Sequence, residues 1–342
     1  PRIDTPGPVS GKREMPQPGE ADLLSVRDLR VVYPPVTGRG PGVVAVNSVS
    51  FDIPRGSIFG LVGESGSGKT TIAQAIARLV QPASGQIRFH DQNLLELKSN
   101  ASKRAKKAIQ MVFQDPFASL SPRRRVLQSL LEPLNHFGVG EKSDRHDRAL
   151  QSLQSVGLDQ ALLQRFPHEL SGGQRQRVAL ARALVCEPEL IIADEAVSSL
   201  DVSVQARIIE LILRLREETG TAFLFISHDL AVVRQLADVI GVMYLGQLLE
   251  LGPADSIFQG PAHPYTRALM RAVPSPDPDH ERPQGLQGEA PSHLTPPPGC
   301  VFHTRCPEAF DACYSVVPDD QQVTEPGCTR RPHIARCHLC HS

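Results

Sequence analysis

Apolar and polar residues alternate along the first quarter of the chain. From Leu24 to about Ile87 apolar side chains recur at every second position over several stretches, as in strands that bury one face. Residues 57–62 form a short, mainly apolar stretch, typical of a fully buried strand, and residues 71–79 have helical spacing. The pattern predicts an antiparallel β layer that leads into a buried strand, a loop and a helix.

Further along the chain the pattern becomes helical and then mixed. Residues 120–166 carry apolar side chains at helical spacing, and a further helix is expected from Ser171 to Val185. Residues 190–193 and 223–226 are short apolar runs that predict buried parallel strands, in a region (187–271) where strands alternate with helices. The prediction is an α/β fold with a mostly parallel sheet and a helical subdomain at about residues 115–185.

Proline and cysteine content divides the two ends of the chain from this region. Residues 1–22 are a Pro-rich stretch that we expect to be a disordered leader without a secretory pattern. After a large domain at residues 23–272, prolines crowd residues 273–298, which predicts a linker with little regular structure. Residues 299–342 form a small extension that holds six of the seven cysteines, and the remaining one, Cys186, is expected to be buried and structural.

Charge and hydropathy exclude several functions. The formal net charge of the 342 residues is -1, and no stretch approaches the ~20 apolar residues that cross a bilayer. Basic clusters occur at residues 103–107 and 123–125 without interleaved aromatic residues, which favours solvated faces over a nucleic-acid track. We therefore expect membrane attachment only through partners, and no nucleic acid.

A glycine-rich loop follows the predicted strand at residues 57–62. Glycines at 63, 66 and 68 allow successive backbone N–H groups to point at a phosphate, at the positive end of the helix that follows. Lys69 supplies a charge for the β and γ phosphates, and the Thr70 hydroxyl is placed to bind Mg²⁺. This order of strand, loop and helix predicts a nucleotide site.

Polar residues follow the two later strands. Asp194 and Glu195 come directly after the apolar run at 190–193, at the strand end where α/β sheets bind ligands. Asp194 is expected to hold Mg²⁺, and Glu195 to act as the general base toward water. His228 follows the run at 223–226, where an imidazole can contact the γ phosphate.

Ser171 is expected to open a second anion-binding helix end. One nucleotide does not need two such helix ends from a single chain. We therefore predict that each nucleotide lies between two subunits, gripped by the loop of one and the Ser171 helix of the other, and that hydrolysis releases this clamp.

Together these motifs resemble the nucleotide-binding subunits of ATP-binding-cassette (ABC) transporters over roughly residues 24–270. The resemblance implies a P-loop NTPase cassette in which Tyr33 stacks on adenine, Gln114 senses Mg²⁺ and water, and Asp201 links the two composite sites. The residues expected at ATP within one subunit are Tyr33, Gly63, Glu64, Ser65, Gly66, Ser67, Gly68, Lys69, Thr70 and Thr71. Those expected to act as the signature motif on the partner's ATP are Ser171, Gly172, Gly173 and Gln174. Glu195, His228 and Gln114 are expected to be catalytic, and Thr70, Gln114 and Asp194 to surround Mg²⁺.

Two segments resemble importers of oligopeptides, dipeptides and nickel: residues 114–123 and residues 263–269. The resemblance implies an ATPase at the cytoplasmic face of the membrane that powers peptide import. Its expected partners are a second ABC ATPase in a heterodimer, two permease subunits and an extracytoplasmic substrate-binding protein. Import of nickel or another small solute, and a soluble non-transport ABC ATPase, are the alternatives. Ala196 replaces the proline usual in the family, with the catalytic carboxylate retained.

The cysteine-rich tail resembles the C-terminal extension of peptide-type subunits. Some members of that group hold a [4Fe-4S] cluster, which here implies Cys300, Cys306, Cys313 and Cys337 as ligands, with Cys328 and Cys340 competing for the fourth place. Zinc bound by cysteines and His303 or His338 is the main alternative, because spacing does not distinguish zinc from iron. A tail without metal is the third.

Overall fold

The computed structural model describes residues 22–35, 42–115, 119–198, 200–272, 286, 288–323 and 332–340. Several expectations fall on other residues: all but the last residue of the leader at 1–22, much of the 273–298 linker, residues 116–118 of the segment 114–123, and Cys328. These lie outside the described residues.

The strands of the described residues follow the chain in this order. They are β1 (Leu24–Tyr33), β2 (Val43–Ile53), β3 (Ile58–Val62), β4 (Ser84–Phe89), β5 (Gln92–Asn93), β6 (Ile109–Val112), β7 (Leu190–Asp194), β8 (Ala222–Ser227), β9 (Val239–Tyr244), β10 (Gln247–Pro253), β11 (Gln321–Val323) and β12 (His333–Ala335).

The α-helices of the same residues lie between and after these strands. They are α1 (Lys69–Ile76), α2 (Ser99–Ala108), α3 (Val126–Phe137), α4 (Arg145–Ser155), α5 (Gly172–Leu184), α6 (Val202–Thr219), α7 (Leu230–Leu236), α8 (Ala254–Gln259) and α9 (Pro264–Arg271).

Two sheets build the domain. The first is antiparallel in the order β2-β1-β4-β5, as the alternating pattern of residues 24–87 predicts. The second has the order β11-β12-β10-β9-β3-β8-β7-β6. Its strands β9, β3, β8, β7 and β6 are parallel, and every residue of β3, β7, β8 and β9 is buried. The α/β fold with a mostly parallel sheet is confirmed.

Apolar side chains fill both faces of the second sheet. On one face Ile72 and Ile76 of α1 join the antiparallel sheet and alternate residues of β8, such as Leu224. On the other face Phe223 and Phe225 join the helical segment built from α3, α4 and α5. The C-terminal ends of the parallel strands are therefore fixed by a core on each side.

The helix after the glycine-rich loop differs from its prediction. We expect it at residues 71–79, whereas α1 spans Lys69–Ile76. It ends early because Arg78 adopts a left-handed conformation (φ 60°), and the N–H groups of Leu79 and Val80 both turn back to the Gln74 carbonyl. Leu79 is consequently exposed instead of continuing the apolar face.

The cysteine-rich tail continues the main sheet. Strand β12 pairs with β10 and with β11, so residues near the C-terminus extend the sheet that carries β3. Cys300, Phe302 and Cys313 belong to the same apolar core as α5 and β8. Cys186 is fully buried against Leu134 and neighbours, as expected. Within the described parts of the chain, no helix is long and apolar enough to span a membrane.

Candidate functional site

The glycine-rich loop joins β3 to α1, in the predicted order. Gly63, Gly66 and Gly68 all have positive φ (148°, 79° and 103°). A side chain at Gly63 would overlap the carbonyl oxygen of Met243, and one at Gly68 that of Ala45. The loop therefore needs glycine at these points to curl between its neighbouring strands.

Lys69 lies under this loop. Its ammonium donates to the carbonyl oxygens of Gly63 and Glu64, both at 2.8 Å, and lies 3.3 Å from the Ser67 hydroxyl. Burial lowers the pKa of Lys69, while the carboxylates of Glu195, Asp194 and Glu64 oppose this effect. A buried ammonium whose hydrogen-bond partners are neutral carbonyl and hydroxyl groups is suited to receive a phosphate.

A hydroxyl and a carboxylate meet beside the lysine. The Thr70 hydroxyl donates to the Asp194 carboxylate at 3.1 Å. Asp194 is buried at the end of β7, and burial raises its pKa, with Thr70 and Lys69 acting in the opposite direction. Oxygen ligands of this kind fit Mg²⁺.

Three further side chains meet at the ends of neighbouring parallel strands. The Gln114 amide, after β6, donates to a Glu195 carboxylate oxygen at 2.9 Å. His228, after β8, has its Nδ1 atom 3.5 Å from the other carboxylate oxygen. Glu195 itself adopts a left-handed backbone conformation (φ 48°), a strain that non-glycine residues tolerate mainly at functional sites. These contacts bring Gln114, Glu195 and His228 together, as the sequence predicts.

Tyr33 contacts the helix that follows the loop. It ends β1, and its hydroxyl lies 3.4 Å from the Thr71 hydroxyl and 3.4 Å from the Gln74 amide oxygen. The tyrosine therefore lies against helix α1, within the antiparallel sheet. Ser65, between the loop glycines, is exposed.

The Ser171 helix end is built as predicted but lies apart from the phosphate loop. Ser171 caps α5: its hydroxyl accepts from the Gln174 N–H at 3.3 Å, and the Gln174 side chain accepts from the Ser171 N–H at 2.9 Å. This is a capping box. Gly172 and Gly173 complete the first turn, and among the described residues no hydrogen bond joins residues 171–174 to residues 63–71.

Asp201 begins the neighbouring helix α6. Its carboxylate accepts from the Val204 N–H at 2.9 Å and from the Ser203 hydroxyl at 2.8 Å, and the backbone hydrogen bond lowers the pKa of Asp201. The space beside Gly173 is occupied by Val204 of this helix. The Ser171 helix end and the Asp201 segment therefore pack as one surface.

Cys300 lies within electrostatic range of Cys306, Cys313 and Cys337. Burial raises the pKa of the Cys300 thiol, and Cys337 and Cys313 raise it further. Burial also raises the pKa of Cys306 to about 11, with Cys300 and Cys337 acting in the same direction. A hydrogen bond between Cys337 and Cys340 raises the pKa of the first thiol and lowers that of the second. In the segments that the structure describes, no three His, Cys, Asp or Glu side chains are arranged to hold a single metal ion.

Contacts to Glu64 from the C-terminal part of the chain are absent from the sequence-based expectations. The Tyr265 hydroxyl accepts from the Glu64 N–H at 2.9 Å, and Arg305 binds the Glu64 carboxylate. Tyr265 lies in the segment 263–269 that resembles peptide importers. The sequence therefore draws attention to this segment but does not predict a role for Tyr265. Arg305 stands between two of the cysteines, and no sequence pattern connects it to the loop.

Comparisons with known proteins agree with this geometry. The profile of the family described as "ABC transporter" matches residues 46–198, and that of "Oligopeptide/dipeptide transporter, C-terminal region" matches residues 249–313. A Brucella ovis protein named "Putative peptide import ATP-binding protein" is 49% identical over 310 residues, covering 90% of this chain and 96% of its own. The oligopeptide transport ATP-binding protein AppF of Bacillus subtilis is 44% identical over 330 residues, covering 93% and 97%.

Solved structures share the architecture. The bacterial ABC transporter cassette MJ0796, solved as a dimer, is 28% identical with a TM-score of 0.61, covering 68% of this chain and 98% of that one. The same cassette has been solved as a dimer in a post-hydrolysis state with ADP and phosphate. With the nucleotide-type loop, the carboxylate strand and the capped glycine helix all in place, the chain belongs to the ATP-binding subunits of the ABC transporter family.

Proposed function

We propose that this ABC ATPase hydrolyses ATP at the loop formed by residues 63–71. The observation that carries the proposal is the convergence of Lys69, the Thr70–Asp194 pair and the Gln114–Glu195–His228 group. The loop amides and Lys69 would hold the phosphates, and Tyr33 would stack on adenine from its place beside α1. Thr70 and Asp194, with Gln114, would hold Mg²⁺, which when bound offsets phosphate charge.

Glu195 is proposed as the general base. Its carboxylate accepts from the Gln114 amide and lies near the His228 ring, so both neighbours constrain its direction. It would take the proton from the attacking water while Gln114 and His228 orient that water and the γ phosphate. Catalysis here is mainly positioning and electrostatic stabilisation, which a fixed strand-end cluster supplies.

We propose that the active form is a dimer of cassettes. Ser171, Gly172, Gly173 and Gln174 form the N-terminal end of α5, where Ser171 and Gly172 are exposed and the helix dipole favours an anion, yet this end makes no hydrogen bond to the loop of its own chain within the described residues. Each such end would close on the partner's ATP, and Asp201 would link the two sites. The dimeric similar cassette supports this arrangement.

The proposed cargo is peptide. The support is the match to the oligopeptide/dipeptide C-terminal region and the names of relatives that cover nearly the whole chain. The proposed assembly contains a second ATPase subunit as a heterodimer, two permeases and an extracytoplasmic binding protein. The chain would then lie peripherally at the cytoplasmic face of the membrane.

Reconstitution tests this proposal. In proteoliposomes that contain the permeases and the partner ATPase, we expect ATP turnover to rise when peptide-loaded binding protein is added, and to stay near basal with unloaded binding protein. Glu195→Gln should abolish the stimulated turnover. If the loaded binding protein does not change the rate of ATP turnover, the transport role is contradicted. If ATP is hydrolysed without binding at Lys69, the proposed ATP site is contradicted.

For the tail we propose a [4Fe-4S] cluster held by Cys300, Cys306, Cys313 and Cys337. Their thiols form a donor set suited to iron–sulfur chemistry, and three of the four are buried.

Anaerobic purification with a visible spectrum and iron, sulfide and zinc analysis tests the cluster. We expect a brown protein whose colour is lost in Cys313→Ala and kept in Cys186→Ala, since Cys186 lies in a separate apolar group. A colourless protein that contains stoichiometric zinc would refute it.

A further inference from the structure

Three residues in the C-terminal part of the chain form hydrogen bonds with the phosphate loop. The Tyr265 hydroxyl accepts from the Glu64 N–H at 2.9 Å. The His293 ring contacts the Gly66 carbonyl at 2.7 Å and the Val44 carbonyl at 3.1 Å. Arg305 donates twice to the Glu64 carboxylate, at 2.6 and 3.0 Å. The loop is thus contacted by residues that lie more than 200 positions after it in the chain.

Arg305 is the charged residue among these contacts. Its side chain is only 4% exposed, and its guanidinium also lies 3.4 Å from the Tyr244 hydroxyl. The paired hydrogen bonds to Glu64 raise the pKa of Arg305. A two-pronged arginine–carboxylate pair with so little exposure has a fixed geometry, and removing one partner leaves an uncompensated charge.

The backbone around Arg305 is itself anchored. It ends a 3-10 turn, His303–Arg305, whose N–H groups bond back to Cys300 and Phe302. Phe302 is fully buried between the rings of Tyr244 and Tyr265, with centroids 5.4 and 5.2 Å away. Arg305 therefore reaches the loop from a rigid base.

Glu64 places a negative charge beside the phosphate site. Its backbone carbonyl accepts from the Lys69 ammonium, and its carboxylate acts electrostatically on that lysine. Left uncompensated, this carboxylate would repel an incoming triphosphate, and it would compete with phosphate for Lys69. Arg305 donates to both oxygens of this carboxylate, so the pair carries no net charge.

We propose that Arg305 is a positioning residue for ATP: it neutralises and orients Glu64, so the tail sets the affinity of the phosphate loop without touching nucleotide. The inference rests on the ATP site proposed above. It assigns to the C-terminal region a role in nucleotide affinity, in addition to any part in holding a cluster.

The test compares ATP affinity and turnover in the complete chain. For Arg305→Gln we expect KM and Kd for ATP to rise on the order of tenfold, with kcat at saturating ATP nearly unchanged, since the cluster around Glu195 is not altered. Arg305→Lys, which keeps the charge and loses the paired geometry, should fall between the two.

A second variant distinguishes the effect of the uncompensated Glu64 charge from that of a folding defect. Adding Glu64→Gln to Arg305→Gln removes the uncompensated carboxylate, so KM should fall back most of the way to the wild-type value even though the ion pair is still absent. Arg336→Gln is the matched control: it breaks a similar pair with Asp320 in the tail, away from the loop, and should keep the wild-type KM.

The outcomes are distinct. A wild-type KM in Arg305→Gln, or a double variant as weak as the single one, overturns the inference. An equal rise in Arg336→Gln also overturns it, because the effect would then be a general loosening of the tail. If the wild-type chain does not bind ATP at all, the proposed function fails first.

Discussion

Gly173→Ala tests the packing of the Ser171 helix against the Asp201 helix. A methyl group at Gly173 would lie 2.6 Å from the Val204 Cγ1 atom, where 3.4–4 Å is ordinary contact. Either the Val204 side chain or the two helices must therefore shift by most of an ångström. Overpacking of this kind costs about 1–3 kcal/mol, and the better helix propensity of alanine offsets less than about 1 kcal/mol of it.

Neighbouring variants make the test specific. Gly172→Ala is the matched control, because its methyl group would lie 3.7 Å from Leu200 and meets no overlap; we expect a change within about 0.5 kcal/mol. Val204→Ala alone removes two methyl groups from a half-buried site, for a loss of about 1 kcal/mol. In the double variant Gly173→Ala/Val204→Ala the new methyl group fills the space that valine leaves, so the two losses should not add.

Urea unfolding at neutral pH gives the free energy of unfolding of the four variants and of the wild-type chain. We expect Gly173→Ala to be clearly less stable to unfolding than Gly172→Ala, and the double variant to be at least as stable as Val204→Ala. Fully additive losses, or equal effects at Gly172 and Gly173, would refute it.

Three further predictions follow from the site and the core. Glu195→Gln should keep ATP binding while turnover nearly stops, measured by nucleotide titration and phosphate release; persistent hydrolysis would make the assignment of the base wrong. Lys69→Ala should weaken ATP binding itself, because the buried ammonium is lost, and an unchanged Kd would contradict this. Burial lowers the pKa of His263 from 6.5 to about 4, so the unfolded chain binds this proton first and stability is lost as pH falls from 6.5 toward 4, by about 3 kcal/mol. His263→Asn, which can keep the helix cap to Tyr265, should flatten that part of the stability profile relative to wild type; identical slopes would contradict the burial argument.

Local patterns predict much of the site. The strands at residues 58–62, 190–194 and 222–227 are mainly apolar runs, and a candidate-site residue stands at the end of each: Asp194 ends its strand, and Gly63 and His228 directly follow theirs. Parallel strand ends meet at one edge of a sheet, so Asp194, Glu195 and His228 gather there without further information. The capped helix at Ser171 is equally local, since serine and glutamine three residues apart satisfy each other.

Other features depend on contacts that no local pattern contains. The early end of α1 arises because Arg78 has a left-handed backbone conformation, which an arginine in the sequence does not predict. The attachment of Arg305 and Tyr265 to Glu64 joins segments more than 200 residues apart. From the sequence we expect the tail to be a small extension, whereas β12 joins the main sheet and Phe302 enters its core. Tertiary packing decides these cases, and propensity does not.

The most direct test of the account is a structure of the Glu195→Gln chain with its partner ATPase, ATP and Mg²⁺. The account predicts ATP enclosed between subunits, with its γ phosphate between Lys69 of one cassette and the capped Ser171 helix end of the other. A nucleotide bound at Lys69 while every Ser171 helix end stays remote from it would contradict the shared site.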